Sequence, residues 1–225
     1  MSLIVITPTG DRPETLKLCA EYLSRQTVQP YRWIVVDDGQ KPIEFLKTYR
    51  RQPRPDDPPH TLVKNMQFAM SFVMPDDRIV IMEDDDWYAK NYLEEMEKMF
   101  SEGYDLVGQG GTYYYHYPTA RVCDMTNRYH CSFFQTGFRA HIMHGLQWPE
   151  NHMLDLALWK TDCKKKILPQ LPPLAIGLKG LPGRAGQSCG HDSNYKRYKP
   201  DKDREWLRGW IGEDIKNYER MLECS

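Results

Sequence analysis

Apolar residues in the first hundred positions fall into two kinds of run. Leu3 to Thr7, Trp33 to Val36 and Arg78 to Met82 are short, nearly unbroken apolar stretches and read as buried strands. Between and after them, apolar residues recur every three or four positions. The sets are Leu16, Cys19, Ala20 and Leu23; Leu62, Met66, Ala69 and Val73; and Tyr92, Leu93, Met96, Met99 and Phe100. Each set marks one face of an amphipathic helix. Pro8, Gly10 and Pro13 end the first strand, and the proline-rich Gln52 to Pro59 is loop. Strand–helix–strand order at this spacing implies a parallel sheet with crossover helices, and ligands bind such sheets beyond the carboxyl ends of the strands.

The second half is less regular. Gly108 to Tyr117, Cys131 to Phe138 and Leu174 to Leu178 read as strands, and Asn151 to Lys164 as a helix. A Gly-rich, basic segment follows, Lys179 to His191. Ile211, Ile215, Tyr218 and Leu222 then predict a C-terminal helix. The expected fold is α/β: a Rossmann-like, mostly parallel sheet flanked by helices, in one domain closed by that helix.

Composition narrows the class. At 225 residues, 40% hydrophobic and 27% charged, the chain suits one globular domain. Thirty Lys and Arg against 31 Asp and Glu exclude a globally basic nucleic-acid binder, though not a local basic patch. No run spans a bilayer, and the start lacks the basic flank and cleavage site of a signal peptide. Six cysteines (19, 123, 131, 163, 189, 224) without a CxxC pair argue against zinc or a disulfide scaffold; they read as reduced thiols, and the expected compartment is the cytoplasm.

Three strands end in polar loops: Pro8-Thr9-Gly10-Asp11, Asp37-Asp38-Gly39 and Glu83-Asp84-Asp85-Asp86. Four adjacent carboxylates repel one another unless donors or a cation neutralise them, and hard oxygens at a sheet end suit Mg²⁺ or Mn²⁺ completed by phosphates and water. A solvated acidic turn is the alternative. An EF-hand fails on spacing, with Tyr88 and Ala89 where an oxygen ligand and Gly are required.

The order TPTGDRPE, VVDDG, a helix with Asn65, then IMEDDDWY resembles family 2 glycosyltransferases of the GT-A fold, well over roughly residues 3–100 and loosely beyond. The resemblance implies a metal-dependent, inverting transferase using a UDP-sugar, with a nucleotide-sugar half over about 1–105 and an acceptor half over about 106–225. It places Pro8, Thr9, Asp11 and Arg12 in the nucleotide pocket and has Asp37 or Asp38 accept from the uracil ring. Asn65 and Asp84 join that set, Glu83 faces the ribose and Asp85 ligates the metal. Glu83 departs from the commoner Asp at the first position of a D-x-D motif. A nucleotidyltransferase would want a Gly-rich basic loop after the first strand, which TPTGDRP does not supply. A non-catalytic nucleotide-sugar-binding module is a further alternative.

Inversion needs a general base for the acceptor hydroxyl. The family places an acidic residue at a helix start in the acceptor half, and Asp155 matches, with Glu150 and Asp192 in reserve. A late-loop His completes many such metal shells, which points to His191, and Arg184 and Lys179 could bind the diphosphate. Local positive charge at Lys164 to Lys166, Lys179, Arg184, Lys196, Arg197, Lys199, Lys202 and Arg204, interleaved with Tyr195, Tyr198 and Trp206, suits a phosphodiester backbone with exposed bases. The chain thereby resembles phage-type enzymes that glycosylate hydroxymethylated pyrimidines in DNA. A solvated basic face and a saccharide or lipid acceptor are the alternatives.

Overall fold

A computed structural model describes residues 1–150, 153–184, 191, 192, 194 and 196–223. In chain order the first half comprises β1 (Leu3–Thr9), α1 (Pro13–Ser24), β2 (Arg32–Asp37), β3 (Tyr49–Arg50), α2 (Leu62–Met70), β4 (Arg78–Ile81), β5 (Trp87–Tyr88) and α3 (Tyr92–Ser101). The rest comprises β6 (Leu106–Gln109), β7 (Tyr113–His116), β8 (Arg121–Asp124), β9 (Thr136–Arg139), α4 (Ala140–His144), α5 (Leu154–Trp159), β10 (Lys165–Leu168), β11 (Ala175–Lys179), β12 (Tyr198–Pro200), α6 (Glu205–Ile211) and α7 (Ile215–Glu223).

The main sheet has seven strands in the order β10-β6-β9-β4-β1-β2-β3, and only β9 runs against the others. Alternate residues of β1 serve two cores. Leu3 and Val5 pack with α1 and α3, Ile4 and Ile6 with α2, α4 and α5. A strand covered on both faces must be apolar throughout, which is why β1 reads as a continuous run. Parallel register aligns the strand ends: Ile6 stands opposite Ile34 and Ile81, and Thr9 opposite Asp37.

A second sheet, β12-β8-β7-β11-β5, meets the first at the acidic turn. Glu83 to Asp86 joins β4 of one sheet to β5 of the other, so its carboxylates are pinned between sheets. The Glu83 amide donates to the Tyr88 hydroxyl at 2.7 Å, and the Tyr92 hydroxyl donates to the Ile81 carbonyl at 3.0 Å.

Several elements differ from expectation. The stretch from Cys131 is a 3₁₀ turn over Phe133–Gln135 before β9 begins. Gly108 to Tyr117 is two strands in different sheets, divided at Gly111 with φ +67°. The helix expected to Lys164 stops at Trp159, and the lysines after it enter strand β10; Asn151 and His152 lie outside the described residues. The C-terminal periodicity bridges two helices, because Gly212 at φ +56° breaks the chain while Leu207, Ile211, Ile215 and Tyr218 all face the core. Cys19, Cys123, Cys131 and Cys163 are free thiols; Cys189 and Cys224 lie outside the described residues. Among the described residues, no helix is long and apolar enough to cross a membrane.

Candidate active site

A cavity of about 320 Å³ opens at the carboxyl ends of β1 and β4. Its floor is Pro8, Thr9, Gly10 and Arg12 with Glu83, Asp84 and Asp85. Pro59 to Leu62, Asn65, Met125, Asn127, His130, Ser132 to Phe134, Met153, Asp155 and Leu156 also line it. Tyr114, Lys179, Arg184 and His191 close the remainder, so both halves of the chain contribute.

The acidic turn is held by two cations from distant parts of the chain. Arg12 Nη1 lies 3.0 Å from Asp84 Oδ1 and 2.8 Å from Asp85 Oδ2, and the Thr9 hydroxyl donates to Asp84 Oδ2 at 2.6 Å. Lys179 Nζ lies 2.9 Å from Asp86 Oδ1 and 3.8 Å from Asp85 Oδ2, beneath the Tyr114 and Phe134 rings. Gly177 makes room for this: a Cβ there would stand 2.5 Å from the Tyr114 ring and 3.3 Å from Lys179 Cε. Lys179 is only 3% exposed; burial works against its charge, but Asp85, Asp86 and Glu83 outweigh burial and hold its pKa above the ordinary lysine value.

Two positive charges do not balance four carboxylates. Burial pushes Glu83 up to about 7 and Asp84 up to about 6, and drives Asp86 well above the ordinary range. Asp85 alone is lowered; burial opposes its ionisation, but Lys179 and Arg12 prevail. Ligand atoms of Glu83, Asp85 and Asp86 lie within 4.8 Å of one another, and Asp86 Oδ2 is buried with no hydrogen-bond partner among the described residues. Converging hard oxygens, one of them orphaned, fit a divalent cation of the Mg²⁺ or Mn²⁺ kind. The His191 ring lines the same cavity without joining that triad; burial, with Lys179 nearby, lowers its pKa to about 4, so it is a neutral imidazole at pH 7.

The structure brings Pro8, Thr9, Arg12, Asn65, Glu83, Asp84, Asp85, Asp155, Arg184 and His191 to one cavity. It does not bring Asp11, Asp37 or Asp38 to the cavity wall. Asp37 accepts the Gly39 and Ile43 amides at 2.9 and 3.0 Å and pairs with Arg50 at 3.1 Å, fastening its own loop. Asp38 is fully occupied by Arg51 Nη2 at 2.7 Å and by Arg184. Asp11, at φ +57°, accepts the Gln40 amide at 2.7 Å. Asp192 is exposed and accepts the Asn194 amide at 2.9 Å, and Glu150 is exposed; neither lines the cavity.

Sequence reasoning missed Arg51. Its Nε donates to Asn65 Oδ1 at 2.6 Å while Nη1 reaches Asp57 at 2.8 Å, so one guanidinium ties the proline-rich loop to α2 and Asp38. A lone Arg beside a loop carries no periodic signal. Lys164 to Lys166 sit at the amino end of β10 and do not line the cavity; the Asp105 amide donates to the Lys164 carbonyl at 2.7 Å. Arg204 lies over the Tyr117 ring and Tyr198 is buried, whereas Lys196, Arg197, Lys199 and Lys202 are exposed; Tyr195 lies outside the described residues.

Parallel strands whose carboxyl ends, one of them continued by an acidic turn, line a single polar cavity are the arrangement of a GT-A fold. Residues 4–152 match glycosyl transferase family 2, and the chain belongs to that family. Among solved structures, S. aureus TarS superposes with a TM-score of 0.56 at 16% identity, over 79% of this chain and 37% of that one. TarS 1–349 in complex with UDP-GlcNAc gives 0.57 at 15% identity, over 87% and 62%. The mannosyltransferase PcManGT from Pyrobaculum calidifontis, in complex with GDP-Man and Mn²⁺, gives 0.54 at 11%, over 80% and 57%. At these identities the likeness is one of fold, and the chain spans less than two thirds of each of these proteins. No curated protein matches the chain.

Proposed function

We propose that the protein transfers a sugar, with inversion, from a UDP-sugar to a hydroxyl acceptor with the help of a divalent cation. The observation that carries this reading is the meeting of Glu83 and Asp85, two members of the carboxylate triad, with Asp155 on one cavity. Glu83, Asp85 and Asp86 would hold the cation, which when bound neutralises charge developing on the donor diphosphate. His191 would contribute its imidazole as the fourth protein group.

Pro8, Thr9, Thr61 and Asn65 receive the nucleoside, and Arg184 and Arg12 supply donors for the diphosphate. Asn65 Oδ1 is taken by Arg51, so its amide NH₂ is the group that can donate to a ligand; a pyrimidine carbonyl accepts from such a donor. Asp155, half-buried at the start of α5, accepts the proton of the acceptor hydroxyl as its oxygen bonds to the anomeric carbon. The bond from that carbon to the diphosphate oxygen breaks, and the nucleoside diphosphate leaves with the electron pair. The half beyond about residue 105 is the acceptor side, since Asp155, His130 and Asn127 all come from it.

Hydrolysis of UDP-, GDP- and TDP-sugars with Mg²⁺ or Mn²⁺ tests the donor. UDP release that needs the cation and disappears in Asp85→Asn supports the reading; tight UDP binding with no sugar release indicates a binding module.

A hydroxymethylated pyrimidine in DNA is the acceptor that the exposed basic residues favour. Arg197 donates to the carbonyl of cavity-lining Met125 at 2.8 Å, which sets Lys196 and Arg197 beside the acceptor wall, near exposed Arg128. Transfer to hydroxymethylated DNA that weakens steeply with salt supports this acceptor; transfer only to a free saccharide or lipid removes it.

A further inference from the structure

Arg12 precedes α1 but does not cap it; its side chain turns across the acidic turn instead. The guanidinium holds Asp84 and Asp85 through Nη1 and donates from Nε to the Arg184 carbonyl at 2.6 Å. The chain around Gly183 is moulded onto it: Gly183 has φ +105°, and a Cβ there would stand 2.7 Å from Arg12 Cγ. One side chain therefore links the acidic turn to the segment that carries Arg184.

Asp85, which Arg12 holds through Oδ2, belongs to the carboxylate triad, whose Asp86 Oδ2 is buried and unpartnered among the described residues. A divalent cation and a guanidinium on the same carboxylate repel one another. Of the two resident cations, Lys179 is boxed beneath two rings and 4% exposed in its side chain, whereas the Arg12 side chain is 16% exposed and borders open cavity. Arg12 is the one with room to move.

We propose that Arg12 is a built-in counter-cation of the metal site. In the donor-free protein it occupies Asp85, so a divalent cation loads only as Arg12 withdraws, and the donor diphosphate draws it away by accepting the guanidinium. The inference rests on the donor site described above and adds that cation and nucleotide bind with positive coupling through this residue. By linkage, each tightens the other by the same factor.

Titration of the intact protein with Mn²⁺ alone, followed by loss of the free-ion EPR signal, needs no nucleotide and so fails separately from the donor reading. Arg12→Gln should bind Mn²⁺ at least about 10-fold more tightly than the wild type, a coupling of ordinary size for two competing ligands. Arg184→Gln removes a charge paired with Asp38 and should change Mn²⁺ affinity less than about 3-fold, the effect of charge at a distance. Adding UDP, with Mn²⁺–UDP association in solution subtracted, should tighten Mn²⁺ binding more in the wild type than in Arg12→Gln, where only the direct attraction between cation and diphosphate remains. Mn²⁺ affinity in Arg12→Gln equal to or below the wild-type value overturns the proposal, as does an equal UDP effect in both proteins. Should circular dichroism show Arg12→Gln unfolded, the wild type decides alone: no gain in Mn²⁺ affinity with UDP overturns it.

Discussion

Arg51→Met removes the guanidinium that ties cavity-lining Asn65 to Asp38 and to the proline-rich loop, while keeping much of its apolar volume. Arg51 is 11% exposed in its side chain and touches Asp38 at 2.7 Å, Asp57 at 2.8 Å and Asn65 at 2.6 Å. Asp38 is 0% exposed in its side chain and would keep Arg184 as its one cation among the described residues. Burial resists ionisation of Asp38, and its hydrogen bonds to Thr61, Arg51 and Arg184 reverse that effect and hold its pKa low, so truncation leaves a charged, under-compensated group. Breaking a buried pair from one side costs about 3–5 kcal/mol. For a chain of this size each kcal/mol is worth roughly 2–4 °C, so the lower figure predicts a melting temperature lower by about 6–12 °C. Freed from Arg51, the Asn65 amide also loses its fixed orientation, so KM for the UDP-sugar should rise more than kcat falls. Arg51→Lys keeps the charge but cannot reach all three partners, and should recover less than half of the loss. Differential scanning fluorimetry together with donor-hydrolysis kinetics measures both. A fall under about 2 °C, equivalent to less than about 1 kcal/mol, with KM unchanged, would refute the argument.

Asp155→Asn should lower turnover by about 10²–10⁴-fold with little change in UDP affinity, because it removes a base and no donor contact; isothermal titration with UDP beside a transfer assay separates the two. Asp214 joins the C-terminal helices to the core through Arg25 Nη1 at 2.6 Å and Trp87 Nε1 at 2.7 Å. Burial opposes its ionisation, but bonds to Arg25 and Trp87 prevail and lower its pKa, so its stabilisation is complete above the ordinary aspartate value and is lost as pH falls through the lower folded one. Chemical denaturation of Asp214→Asn should show a deficit at pH 7 that closes below about pH 4; a deficit independent of pH would contradict the assignment. Charge reversal of Lys164 and Lys166, which lie at the amino end of β10 over the Tyr104 ring and do not line the cavity, should leave UDP-sugar hydrolysis within about twofold of the wild type, as expected for solvent-screened charges outside the site.

Local pattern alone determined the main strand–helix order of roughly the first hundred residues of this protein. β1, β2 and β4 are legible because a strand covered on both faces has to be apolar, and their ends are legible because proline, glycine and carboxylates cannot continue them. The family resemblance of those ends places Thr9, Arg12 and Glu83 to Asp85 in one pocket, and with them Asp11, Asp37 and Asp38, which the packed chain keeps off the cavity wall. Short strands such as β5, β8 and β12 gave no usable alternation, and Gly212 is invisible to a periodicity that resumes in phase after the break. Tertiary structure alone decided how the charges are paired. Lys179 meets Asp86 across 93 positions of sequence and Arg12 meets Asp84 across 72, through the junction of two sheets. Asp37 and Asp38 carry the same residue type as the acidic turn, yet arginines and loop amides consume them while the turn keeps an unpartnered oxygen. A carboxylate's task depends on which cations the fold brings within about 4 Å of it, since Coulomb attraction and desolvation both depend on local surroundings. That proximity belongs to the packed chain, and no spacing in the sequence encodes it.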